Sequence, residues 1–266
     1  MMTLYFILLP AFGNEKPRII STCPGVTEII FYLGIEDKLV GISNHCDYPE
    51  QIKNYTKCAG MSLDIEKIIS LKPDYVIMMK GFRNGEEEIL KSSGIKVIAL
   101  NMSDINGIVT SIKILGKKFS SEKKAKEFET ELYKLEKEIN RKCCLVKRPE
   151  VYIETWGNPL MTVGNESFIS DLIEISGGRN IFSHIKSANI QISSEELISR
   201  NPEIIIVAYP EKIETIKSRE YLKTVSALKN NKVFKIHPDF MVRPGPRILE
   251  GIKILNRYLH GNAINE

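Results

Sequence analysis

Two short clusters bring together residue types that could bind an ion or move a proton. His45-Cys46-Asp47 and His237-Pro238-Asp239 each join an imidazole to a carboxylate, and if the fold brings them face to face they could form part of a metal site. Dedicated zinc or manganese sites usually draw on several histidines, and the 266 residues contain only His45, His184, His237 and His260. No metal centre is therefore expected, and what the first cluster still offers is an axial contact from His45 to a metal already held in a macrocycle. Nucleophilic and phosphate chemistry find no motif: GxSxG, HExxH, GxxxxGK(S/T) and a GxGxxG after the first strand are all missing. Cys23, Cys46, Cys58, Cys143 and Cys144 include no CxxC pair, which argues against a zinc knuckle or a full disulfide framework and leaves room for one bridge.

Binding chemistry is better represented. In a parallel α/β sheet a ligand lies beyond the carboxyl ends of the strands, so the residues following each apolar run matter most. After 39–42 comes Asn44-His45-Cys46-Asp47-Tyr48-Pro49; after 75–79 comes Lys80-Gly81-Phe82; after 151–155 comes Trp156-Gly157-Asn158-Pro159. Two further edges supply Tyr209-Pro210 and the segment from His237 to Phe240 and Arg243. A cleft built from these edges is expected to expose Tyr48, Trp156, Tyr209 and Phe240, flat side chains suited to a large, partly apolar ligand.

The elements that must position these residues form a repeat. Ile65-Glu66-Lys67-Ile68-Ile69-Ser70-Leu71-Lys72-Pro73-Asp74 recurs as Ser194-Glu195-Glu196-Leu197-Ile198-Ser199-Arg200-Asn201-Pro202-Glu203, and each copy runs into a continuous apolar strand, at 75–79 and 204–208. Continuous rather than alternating runs suit parallel sheets covered on both faces. Before each copy lies another strand and helix: 18–22 with Val26, Ile29, Ile30 and Leu33 closed by Gly34, and 151–155 with Phe168, Leu172 and Ile175 closed by Gly177-Gly178. Strands at 96–100 and 232–236 complete the pattern, so two α/β lobes are predicted, at 14–120 and 144–266. Between them, 121–143 carries Ala125, Phe128, Leu132, Leu135 and Ile139 at spacings of three and four, an amphipathic helix of roughly 30 Å that would act as a rigid strut.

Composition fits two ordinary cores, at 43% hydrophobic and 26% charged residues. The net charge of +4, from 37 basic and 33 acidic residues, is spread along the chain without a basic block, so nucleic acid is not an expected partner. Residues 1–13 read as a signal-like segment, with an apolar run from Leu4 to Leu9 followed by Ala11-Phe12-Gly13. Export to the periplasm or another extracytoplasmic space is the expectation, as a free protein, because no lipidation cysteine follows the run.

Ser21-Thr22-Cys23-Pro24-Gly25-Val26-Thr27-Glu28 with Gly34, then Val40-Gly41-Ile42-Ser43, then Asp47-Tyr48-Pro49, resembles the periplasmic cobalamin-binding proteins of ABC importers. The likeness continues through Gly157-Asn158-Pro159-Leu160, Gly177-Gly178-Arg179-Asn180-Ile181-Phe182 and Arg243-Pro244-Gly245-Pro246-Arg247, and covers nearly the whole chain after residue 13. The wider family also holds iron-siderophore and haem binders. The resemblance implies a class III solute-binding protein: a monomer of two lobes joined by one long helix, with little closure and a corrinoid held edge-on in the cleft. It implies no catalytic residue and no cofactor beyond the ligand. Tyr48 matches a ligand-contacting tyrosine, and Asp47, Trp156, Asn158, Phe240 and Arg243 fall in cleft-lining loops. In a ferric siderophore or haem carrier, Arg243, Lys80 and Tyr48 would instead neutralise charge or ligate iron. A tetrapyrrole chelatase is the enzymatic alternative. The family docks on its permease dimer, which works with ATPase subunits, through one glutamate per lobe, here matched by Glu66 and Glu195.

Overall fold

The computed structural model describes residues 16–81, 84–144 and 146–261, so the signal-like segment and Phe82 lie outside the described residues. The first half runs β1 (Ile19–Ser21), α1 (Pro24–Tyr32), β2 (Leu39–Ser43), β3 (Lys57–Ala59), α2 (Ile65–Ser70), β4 (Tyr75–Met79), α3 (Asn84–Ser92), β5 (Lys96–Leu100) and α4 (Ile105–Lys118). A 22-residue helix, α5 (Glu122–Cys143), follows. The second half runs β6 (Glu150–Glu154), β7 (Trp156–Gly157), β8 (Leu160–Thr162), α6 (Phe168–Ile175), β9 (Arg179–Asn180), β10 (Ile190–Gln191), α7 (Ser194–Arg200), β11 (Ile204–Val207), α8 (Ile213–Lys217), α9 (Ser226–Lys229), β12 (Val233–Lys235) and α10 (Ile248–His260).

The duplication read from sequence is visible in the sheets. The first has strand order β3-β2-β1-β4-β5 and the second β12-β11-β6-β9, all pairs parallel. Setting aside β3, β2-β1-β4-β5 corresponds to β9-β6-β11-β12. The repeated helices match in detail. Asp64 and Ser193 cap α2 and α7 by accepting from the N–H groups of Lys67 and Glu196 at 3.0 and 3.1 Å. Both helices are followed by a left-handed residue before proline, Lys72 at φ 46° and Asn201 at φ 45°, the conformation that commonly closes a helix.

Two separate cores were expected, but one apolar cluster runs through both lobes. It joins Ile19, Ile29 and Ile77 of the first half to Ile153, Ile206 and Leu255 of the second. Buried residues of α5, Ala125, Phe128, Leu132 and Ile139, provide the continuity together with α4, α6 and α10. The seam is also polar at its edges: Asp171 at α6 accepts from the Ile105 N–H at 3.0 Å, and Ser121 Oγ donates to the Leu33 carbonyl at 2.5 Å. With these helices contributing buried residues to one continuous cluster, no boundary separates two cores. Smaller clusters remain on the outer side of each sheet.

The antiparallel sheet β10-β8-β7 was not foreseen. It is inserted after β6 and carries Trp156. No disulfide joins any of the five cysteines. No helix among the described residues is long and apolar enough to cross a membrane.

Candidate functional site

The carboxyl edges of the two parallel sheets place the site. In the first lobe, the turns after β1, β2, β3 and β4 line a cavity of about 320 Å³ whose walls include Cys23, His45, Met61 and Met79, with Val242, Arg243 and Pro244 reaching in from the second lobe. A second cavity of about 600 Å³ is lined by Phe31, Tyr32, Tyr48, Phe240 and Arg247, among others. The lobes touch closely where α1 begins: a Cβ on Gly25 would collide with the carbonyl oxygen of Pro244.

An ion-pair network spans the lobes at this point. Arg243 grips Asp47 with both terminal nitrogens, the second at 2.8 Å, and its Nε lies 3.0 Å from Asp239 Oδ1. Arg247 grips Glu28 in the same forked manner, at 2.9 and 2.6 Å, and reaches Asp239 Oδ2 at 3.2 Å. Glu28 is buried at 3% exposure. The bond from Arg243, opposed by partial burial, holds the Asp47 carboxyl below its ordinary range, and the same bond raises the Arg243 guanidinium. Arg247 also stacks on Tyr48, 4.3 Å from the ring centre, and lies 5.7 Å from the Phe240 ring.

The two acid–histidine clusters do approach each other as the sequence suggested, but arginine stands where a metal was considered. Asp47 and Asp239 both bind Arg243, His237 Nδ1 accepts from the Asp239 N–H at 3.4 Å, and His45 is exposed on the wall of the smaller cavity. Among the described residues no group of three or more histidine, cysteine or acidic side chains could hold an ion.

The remaining expected contacts are dispersed. Lys80 is exposed and lines neither of these cavities. Trp156 is 54% exposed on the β7–β8 hairpin, its Nε1 donating to the Asn158 carbonyl at 3.0 Å, and Asn158 is exposed beside it. Tyr209 departs from expectation: it is 8% exposed, because its hydroxyl donates at 2.7 Å to the buried carboxylate of Glu154. Trp156, Asn158 and Tyr209 likewise line neither cavity, but strand register places them at the carboxyl edge of the second sheet. Glu154, Val207 and Lys235 are side by side in β6, β11 and β12, so the turns leading to Trp156, Tyr209 and the His237–Arg243 segment leave one sheet edge together.

Sequence reasoning missed the roles of Glu28 and Arg247. Both stood in quoted motifs, and the signal that could have found them is an acid inside the otherwise apolar α1 stripe, which needs a cationic partner once buried. Glu66 and Glu195 are exposed and each is the second residue of its helix. Glu196 is capped as a capping box requires, but its carboxylate turns to Arg200 at 3.0 Å instead of back to Ser193.

A family model described as periplasmic binding protein matches residues 19–240. An uncharacterized ABC transporter substrate-binding lipoprotein, YvrC of Bacillus subtilis, is 28% identical over 261 residues, covering 95% of this chain and 83% of the relative. The vitamin B12-binding protein of Vibrio campbellii is 31% identical over 249 residues, covering 91% and 89%. Among solved structures, a possible iron-binding (periplasmic solute-binding) protein from Staphylococcus epidermidis is 33% identical with a TM-score of 0.78, over 91% of this chain and 98% of the other.

Proposed function

The chain belongs to the periplasmic binding protein family, as a substrate-binding component of an ABC transporter and not an enzyme, and from that premise we propose that it carries a cobalamin-type corrinoid. The chelatase alternative falls with family membership. The observation that carries the ligand reading is the charge balance of the cleft. Glu28, Asp47 and Asp239 already neutralise Arg243 and Arg247. The cleft therefore offers aromatic faces and satisfied polar groups more than free positive charge, which suits a large ring edged with neutral amides better than an anionic ferric siderophore or a haem with two carboxylates. Tyr48, Phe240 and Trp156 supply rings; Asp47, Asn158 and Arg243 supply polar contacts. The vitamin B12-binding relative supports the same reading. The likeness to an iron-binding protein supports the second reading, in which Lys80, Tyr48 and Arg243 serve an iron complex, with His45 as the candidate axial group.

In this reading the protein works in the periplasm or another extracytoplasmic space. Its permease partner is a dimer with ATPase subunits, met through Glu66 and Glu195. Their equivalent places on duplicated helices would present the same charge twice to a twofold partner.

Isothermal titration with cyanocobalamin tests the ligand, with haemin and a ferric siderophore as competitors. One-to-one binding of about micromolar strength or tighter, weakened by roughly 1 kcal/mol or more in Trp156→Ala, is expected. Heat from the iron ligands alone would transfer the function to the second reading.

A further inference from the structure

Beneath the single tryptophan lies a charged group that neither ligand capture nor docking has so far used. Glu154, the last residue of β6, is 1% exposed. Arg219 Nη1 donates to both of its oxygens, at 2.9 and 2.8 Å, and Tyr209 Oη donates to Oε1 at 2.7 Å. Arg219 Nη2 closes the ring by donating to Tyr209 Oη at 2.9 Å, while Nη1 also reaches Tyr221 Oη at 3.0 Å. Tyr152 Oη adds a longer donation to Glu154 at 3.4 Å. Burial and the Glu154 acceptor together raise the Tyr209 hydroxyl well above its ordinary range, so it remains a donor.

An ion pair taken out of water is a poor source of stability, since apolar residues of similar volume often do as well or better. Its place in the fold suggests another use. It sits at the sheet edge directly before Trp156, and Gly157 lies against it: a Cβ there would collide with the Tyr209 hydroxyl and stand 2.9 Å from Arg219 Nη2. The indole of Trp156 rests 5.8 Å from the Tyr209 ring at an interplanar angle of 43°. A network in which each member has two or more partners fixes geometry more tightly than a lone contact.

We propose that the Glu154–Arg219–Tyr209 network is a positioning device that holds the Trp156 indole in the orientation it presents to the ligand. This rests on the reading that Trp156 faces the ligand, and it makes Tyr209 a positioning residue instead of a contact. Glu154 and Arg219 act one step further back, through the tyrosine and through the seat of Gly157.

Because Trp156 is the only tryptophan, its fluorescence reports on the device directly. In the ligand-free protein, Tyr209→Phe and Glu154→Gln should each shift the emission and increase quenching by acrylamide. In both, the dissociation constant for cyanocobalamin should rise about tenfold, with a cooperative thermal transition still present, though lowered in Glu154→Gln, which leaves Arg219 without its charge partner. In a Trp156→Ala background, Tyr209→Phe should cost no further affinity, as coupling through the indole requires. If Glu154→Gln fails to fold, Tyr209→Phe, which removes one oxygen and keeps the ring, carries the test. Unchanged emission and quenching in the folded variants would overturn the device whatever the ligand. Changed indole signals in a protein that takes no cyanocobalamin would support the device and overturn the corrinoid reading.

Discussion

At the scale of single residues, the two forked ion pairs across the cleft are chemically alike and energetically different. Glu28 is buried in α1, and Arg247 is the partner that offsets its desolvation. Asp47 is largely exposed, so its pair with Arg243 is screened by water. Arg247→Ala should therefore cost about 3 kcal/mol in urea unfolding, since it leaves a buried carboxylate without its forked partner and with only the more distant Arg243, 3.7 Å away. Asp47→Ala should cost about 1 kcal/mol or less. Equal losses would mean that Glu28 has ready access to water. The sequence displayed all four residues, but which acid meets which arginine depends on a contact between positions about two hundred residues apart.

At the scale of elements, the ends of α5, α6 and α10 meet at one histidine. His260, the last residue of α10, places Nε2 3.2 Å from the Gly177 carbonyl and 3.4 Å from Cys143 Sγ. Burial lowers its affinity for a proton below the ordinary value of 6.5, with the nearby Arg148 charge adding to the effect. The unfolded chain then binds a proton at a pH where the folded one does not, so stability falls as the medium is acidified through 6.5 and levels off below the folded value. Denaturant melts on either side of that pH should show the loss, and His260→Gln should flatten it. Elements of this kind differ in how well sequence announces them. The strut α5 was legible from its apolar spacing and the duplicated helices from the ten-residue segment that recurs before two apolar strands. The β7–β8 hairpin was not, because strands of two and three residues are too short to carry a period.

For the whole molecule, duplication is the feature with functional consequences. Glu66 and Glu195 occupy matched helices in lobes of matched strand order, and the docking proposed above on a twofold permease would use both at once. The double variant Glu66→Lys with Glu195→Lys should keep cyanocobalamin affinity while losing stimulation of the reconstituted importer's ATPase. Full stimulation would place the docking surface elsewhere. The sequence by itself determined the repeat, the parallel α/β lobes, the strut and the set of edge residues from which a site could be built, because apolar runs, helix caps and prolines act within a few neighbours along the chain. Only the tertiary structure decided that one core joins the lobes, that arginines stand where a metal was considered, and that Tyr209 is buried by Glu154 beneath Trp156. Those outcomes depend on which burial exposes a charge to which partner across the fold, and no local pattern records that.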